Sequence, residues 1–132
     1  MLKNILKNLK EREDFSILLV EDELMVLKPM QSIMQHLCAN VLIAHDGVQG
    51  WDLYQKNSFT VVVTDLQMPN MNGAELIKHI RSVNSEQIII VITAFREGIE
   101  VDQAKSLGAN FILEKPFSLA TFLNALETLN IR

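Results

Sequence analysis

Apolar residues follow two alternating periods along this chain. Runs at 15–20, 61–63 and 88–92 are almost wholly apolar, short and rich in β-branched side chains, so they predict strands covered on both faces. Briefer runs at 41–44 and 111–113 bring the number of predicted strands to five. Between them, apolar residues recur at the helical spacing: Leu27, Met30, Ile33, Met34 and Leu37; Val48, Trp51 and Tyr54; Leu76, Ile77 and Ile80; Leu119, Phe122, Leu123, Leu126 and Leu129. A mostly polar helix is predicted over 97–107, closed by Gly108, and Ser118 stands where it can cap the last helix. Pro29 predicts a kink or a late start in the helix over 24–37. Ahead of the first strand, Leu2, Ile5, Leu6 and Leu9 form a stripe with Lys3, Lys7, Lys10 and Glu11 elsewhere. Residues 1–14 therefore read as an amphipathic N-terminal helix or tail that packs on the domain, pairs with another copy, or frays.

Strand and helix alternate throughout residues 15–132, which implies an α/β domain with a parallel sheet and helices on both faces. The predicted architecture is a doubly wound five-stranded sheet in the flavodoxin-like order 2-1-3-4-5, with five surrounding helices and the extra N-terminal one. In that order the first and third strands are neighbours at the topological switch point, where ligands of open α/β sheets bind.

Composition narrows the picture. A chain of 132 residues, 48% hydrophobic and 21% charged, is one globular domain with room for a substantial core. A net charge of −4 gives no broad basic field, so no direct contact with nucleic acid or an anionic membrane is expected. No apolar run approaches the roughly 20 residues of a membrane span. The single cysteine, Cys38, cannot form an internal disulfide and reads as a small apolar residue at a helix end, and a reducing, cytoplasmic compartment is expected. His36, His45 and His79 have no partner at ligand spacing, and they read as surface or packing residues, as do Trp51, Met68 and Met71.

The chemistry gathers at the strand exits. The valine strand runs straight into Asp65, followed by Pro69 and Gly73. Taken alone, an Asp after a strand is more often a helix or turn cap than a site. The first strand, however, ends in Glu21-Asp22-Glu23, the fourth in Thr93-Ala94 and the fifth in Glu114-Lys115-Pro116. The predicted strand order brings Glu21, Asp22 and Asp65 side by side, where their mutual repulsion calls for a cation. Mg²⁺ suits them, because it takes oxygen ligands and is commonly held by one or two carboxylates plus phosphate oxygens. With their charge neutralised, one carboxylate can act as a nucleophile on phosphorus, and the Thr93 hydroxyl and Lys115 ammonium can serve phosphoryl oxygens.

With these pieces in hand, residues 15 to about 130 resemble the receiver domain of two-component response regulators. The matching motifs are Glu21-Asp22, Asp65-Leu66-Gln67-Met68-Pro69 with Gly73, Thr93-Ala94, Gly108-Ala109 and Lys115-Pro116-Phe117. The resemblance implies a phosphorylation-dependent signalling switch, catalytic only in gaining and losing its own phosphoryl group. Asp65 would accept that group from the phosphohistidine of a sensor histidine kinase or phosphotransfer protein. Asp22, Asp65 and the backbone carbonyl of Gln67 would bind Mg²⁺, with Glu21 acting through a water. Lys115 would pair with the phosphoryl group, Thr93 would swing toward it, and the Lys115-Pro116 bond would be cis. Partner binding or a homodimer would use the 97–107 helix, the fifth strand and the last helix, or else the N-terminal helix.

The chain also departs from the family. The aromatic residue often found three places before the lysine is Ile112 here, and the nearby Phe111 falls on the opposite face by strand alternation. Glu21 stands where Asp is commoner. Phe95 and Gln67 flank the water path expected at Asp65, and bulky Phe95 is expected to shield an acyl phosphate. Two other functions are possible. An aspartate-nucleophile phosphatase of the haloacid dehalogenase type needs a second Asp where Gln67 stands, and a degenerate receiver used only for protein contacts would not need the full acidic, Thr and Lys set. A flavodoxin-like cofactor binder is opposed by the three acids after the first strand.

Overall fold

The computed structural model describes residues 2–38 and 40–131. Met1 and Arg132, which bound the predicted N-terminal segment and domain, lie outside the described residues. The elements are α1 (Leu2–Glu11), β1 (Ser16–Val20), α2 (Leu24–Leu37), β2 (Asn40–Ala44), α3 (Gly47–Lys56) and β3 (Val61–Asp65), then α4 (Gly73–Val83), β4 (Ile88–Thr93), α5 (Ile99–Ser106), β5 (Phe111–Glu114) and α6 (Leu119–Thr128). All strand pairs are parallel and their order is β2-β1-β3-β4-β5, as the alternation predicts.

Side chains of a strand point alternately to its two faces, and this splits the core in two. Ile17, Leu19, Val61, Val63, Ile90, Ile92 and Leu113 face α1, α2 and α6, while Leu18, Val20, Val62, Ile89 and Val91 face α3, α4 and α5. Every residue of β3 is buried, Asp65 included, so the central strand is a rigid support for whatever leaves its end. In α1, Ile5 and Leu9 are buried in the first core beside Phe15, Phe122 and Leu126, so the N-terminal stripe packs within the chain, against α2 and α6.

Helix ends follow local chemistry. Asn72 and Glu75 form a reciprocal capping box at the start of α4, and the Ser118 hydroxyl accepts from the Thr121 N–H at the start of α6. At the end of α5, the Gly108 N–H donates to the Lys105 carbonyl and the Ala109 N–H to the Ala104 carbonyl, the paired bonds of a Schellman cap.

Three expectations need correction. The helix predicted over 97–107 starts at Ile99, because Gly98 has φ +131°, outside helical space. Val48 does not lie on the inner face of α3, being 49% exposed; that face consists of Gly47, Gly50 and Tyr54, whose small residues let the helix approach Met71, Val20 and Leu76. Finally, α2 begins at Leu24 and runs through Pro29, so there is no late start; Pro29 is only six residues in and on an exposed face.

Candidate functional site: carboxylates and a lysine at the carboxyl edge

Pairing of Val20 with Thr64 sets β1 and β3 so that Glu21 and Asp22 emerge next to Asp65. Carboxylate oxygens of the three residues lie within 4.8 Å of one another. Glu21 is fully buried and Asp65 is 6% exposed. Lys115 reaches in from the end of β5 and donates from Nζ to Glu21 Oε1 at 2.8 Å and to Asp65 Oδ2 at 3.2 Å. The other oxygens of these two acids accept backbone donors: Leu66 N–H reaches Asp65 Oδ1 at 2.7 Å, and Glu23 N–H reaches Glu21 Oε2 at 3.3 Å. Among the described residues, buried Asp22 Oδ1 has no hydrogen-bond partner.

One ammonium does not balance three carboxylates. Burial, with repulsion from Asp65 behind it, pushes the Glu21 carboxyl up to about 7 despite the hydrogen bond from Lys115. Burial is also the largest single effect on Lys115 and opposes its charge, but attraction from Glu21 and Asp65 together outweighs it and its pKa ends raised. An acidic cluster with excess negative charge and an orphaned buried carboxylate oxygen fits a hard cation.

Thr93, half-buried at the end of β4, accepts the Phe95 N–H on Oγ1 at 3.3 Å, and its carbonyl accepts the Lys115 N–H at 2.8 Å. That backbone bond sets Lys115 and Thr93 in register across the edge, and the Lys115-Pro116 peptide is cis. Asp65, Gln67, Thr93, Phe95, Glu100 and Lys115 line an open cleft of about 440 Å³. The structure thus brings Glu21, Asp22, Asp65, Thr93 and Lys115 to one place, with Gln67 on the cleft wall. Phe95 is 74% exposed and lines the same cleft as Asp65.

The loop after Asp65 is held on both sides. Gly73 N–H donates to the Leu66 carbonyl at 2.9 Å, closing the loop on itself. A Cβ at Gly73 would clash with the Asp65 carbonyl and Leu66 Cα, so this approach requires glycine. Asn70, with φ +68°, donates from Nδ2 to Asp46 Oδ2 at 2.7 Å, and Gly47 N–H donates to the Met71 carbonyl at 3.1 Å.

The sequence model described as "Response regulator receiver domain" matches residues 17–127. This chain belongs to the response regulator receiver family. The receiver is 34% identical over 115 residues to a chemotaxis protein CheY homolog of Campylobacter jejuni, covering 84% of this chain and 88% of that protein. It is 28% identical over 107 residues to the transcriptional regulatory protein YkoG of Bacillus subtilis, covering 81% of this chain and 47% of that protein. The receiver thus spans about half the length of this curated relative, and of CrdR of Helicobacter pylori, of which it covers 49%. Among solved structures, chemotaxis protein CheY4 of Vibrio cholerae superposes with a TM-score of 0.79 at 28% identity, covering 86% of this chain and 97% of that one.

Two features of the receiver escaped sequence reasoning. Asp46 is more than the end of the second strand: its Oδ1 caps α3 by accepting the Gln49 N–H at 2.8 Å, while Oδ2 holds Asn70. An Asp just before a helix is the signal that could have found its capping role. Glu100 accepts from Gln67 Nε2, at 3.0 Å on Oε1 and 3.1 Å on Oε2, and nothing in the sequence joins residues so far apart. Phe111 and Ile112 face opposite cores, as strand alternation predicts. His36 and His45 are exposed, and exposed His79 stacks on Trp51 with ring centroids 5.1 Å apart. Among the described residues no helix is long and apolar enough to cross a membrane.

Proposed function

We propose that this receiver is a phosphoacceptor switch in which Asp65 takes a phosphoryl group from the phosphohistidine of a sensor histidine kinase or phosphotransfer protein. The observation that carries this reading is the juxtaposition of Asp65 with Glu21, Asp22 and Lys115 at the mouth of an open cleft. An Asp65 carboxylate oxygen attacks phosphorus, the P–N bond breaks, and its electron pair returns to the imidazole nitrogen, which takes up a proton. Lys115, already donating to Asp65 Oδ2, is set to donate to the phosphoryl oxygens, and the Thr93 hydroxyl serves another. Attack of water on the acyl phosphate later returns Asp65 and inorganic phosphate.

Glu21, Asp22, Asp65 and the Gln67 backbone carbonyl would hold Mg²⁺, which when bound supplies neutralising charge for the carboxylates and the phosphoryl group. For partners, the apolar stripe of α1 is covered within the chain, which leaves the groove between α5, β5 and α6, lined by Lys105, Phe111, Ile112, Leu113 and Asn124, as the face for a homodimer or output partner. The reading implies a cytoplasmic protein, in keeping with a single, buried thiol at Cys38.

Incubation with Mg²⁺ and acetyl phosphate tests the assignment. Intact mass should rise by one phosphoryl group in the wild type and stay unchanged in Asp65→Asn; an equal gain in Asp65→Asn would remove Asp65 from the role.

A further inference from the structure

We propose that the Gln67 side chain is a latch that couples phosphorylation of Asp65 to the first turn of α5 by exchanging Glu100 for a phosphoryl oxygen as its hydrogen-bond acceptor. The inference rests on the phosphoacceptor reading of Asp65 and supplies its outward route. Gln67 stands two residues beyond Asp65, and its Nε2 spans to both carboxylate oxygens of Glu100, at 3.0 and 3.1 Å. Both residues line the same cleft as Asp65, Thr93 and Lys115. They also line the smaller cleft on the other side, with Met68 and Gln103, so their contact is the bridge between the loop after β3 and α5.

The end of α5 that this bridge holds is otherwise lightly fastened. The helix is eight residues long, buries only Val101 and Ala104, and begins after Gly98 with no side-chain cap. A Cβ placed on Gly98 would meet nothing within 4 Å, and every residue from Ala94 to Glu100 is exposed. Burial there is slight, so a single charge-assisted hydrogen bond is a large share of what fastens this turn.

A phosphoryl group on Asp65 changes both partners in the bridge. It brings about two negative charges and three strong acceptor oxygens into the cleft that Glu100 faces. The Gln67 amide nitrogen then has a better-charged acceptor on its own loop, while the Glu100 carboxylate meets like charge. Both effects open the bridge in the same direction and release the first turn of α5. Residue Ile112 gives this chain no aromatic facing Thr93 from β5, and Phe111 is turned into the opposite core, so the Gln67 bridge leads from the site to α5 without them. Gln67 is in this sense a positioning residue acting through Glu100.

Amide hydrogen exchange of residues 99–106 tests the latch, read with and without Mg²⁺ and beryllofluoride, with uptake followed by ¹⁹F NMR. In the wild type, saturation should speed exchange of the Asp102 amide, which donates to the Gly98 carbonyl across the first turn of α5, by about tenfold, the scale of one charge-assisted hydrogen bond. Gln67→Leu and Glu100→Ala should exchange at that faster rate before addition, and Glu100→Ala, saturated with beryllofluoride, should change little afterwards. Glu100→Gln, which keeps an acceptor but loses the charge, should lie between. Saturated wild type with unchanged α5 exchange, or a Gln67→Leu protein that responds as the wild type does, overturns the latch alone. A wild type that takes up neither beryllofluoride nor a phosphoryl group from acetyl phosphate overturns the phosphoacceptor reading and the latch with it.

Discussion

Lys115 donates to two buried carboxylates, so its removal should affect stability before it affects signalling. Loss of its ammonium leaves Glu21 and Asp65 facing each other across the site, with Glu21 fully buried. Breaking a buried ion pair in this way costs about 3–5 kcal/mol. Lys115→Ala should therefore unfold at lower urea in the absence of metal, and millimolar Mg²⁺ should recover part of the difference; a variant as stable as the wild type without Mg²⁺ would show that the pair contributes nothing. Asp46 is a second residue with a double task. Its carboxyl sits below the usual carboxylate range, chiefly because of the Gln49 N–H, with the Asn70 amide next. A folded pKa below the unfolded one gives stability that is present above the ordinary carboxylate value, near 4, and is lost as pH falls through the folded value. Asp46→Ala should cost about 1 kcal/mol at pH 7, and the gap from the wild type should close in denaturation curves taken progressively below pH 4.

At the scale of elements, α1 stands out because it lies outside the stretch that matches the family, yet it shares the first core. Leu9 is fully buried against residues of α2 and α6. Truncating such a side chain costs about 2–5 kcal/mol, the lost transfer energy plus the cavity. Leu9→Ala should lower the urea midpoint accordingly while mass gain from acetyl phosphate at Asp65 persists, because α1 packs against α2 and α6 and no residue of it lines the cleft at Asp65. Full stability in Leu9→Ala would mean that α1 only rests on the domain. The loop between β3 and α4 behaves differently: it buries little, and its shape comes from hydrogen bonds to Asp46 and Gly47 and from the tight approach at Gly73. It thus presents Asp65 on a rigid strand at one end of a loop that is fastened at its far end.

At the scale of the whole molecule, what could be read from the chain and what could not separate along physical lines. The strand and helix pattern was legible because burial imposes a period on side chains, and Val61-Val62-Val63 or the stripe from Leu119 to Leu129 can satisfy one period only. The parallel order followed from the alternation of elements and the hand of crossovers, and with it the convergence of Glu21, Asp22, Asp65, Thr93 and Lys115, since each lies at or just beyond a strand end. Val48 misled because its spacing fits a core stripe, whereas the inner face of α3 is set by close approach at Gly47 and Gly50. Chain order alone thus determined the fold and the meeting of Glu21, Asp22 and Asp65 with Thr93 and Lys115 at one edge of the sheet. Only the tertiary structure decided that Lys115 bonds Glu21 as well as Asp65, that α1 completes the core, and that Gln67 holds Glu100. The reason is one of range: periodicity reports which way a residue faces along its own element, but a hydrogen bond between residues 33 or 94 positions apart depends on where two elements come to rest.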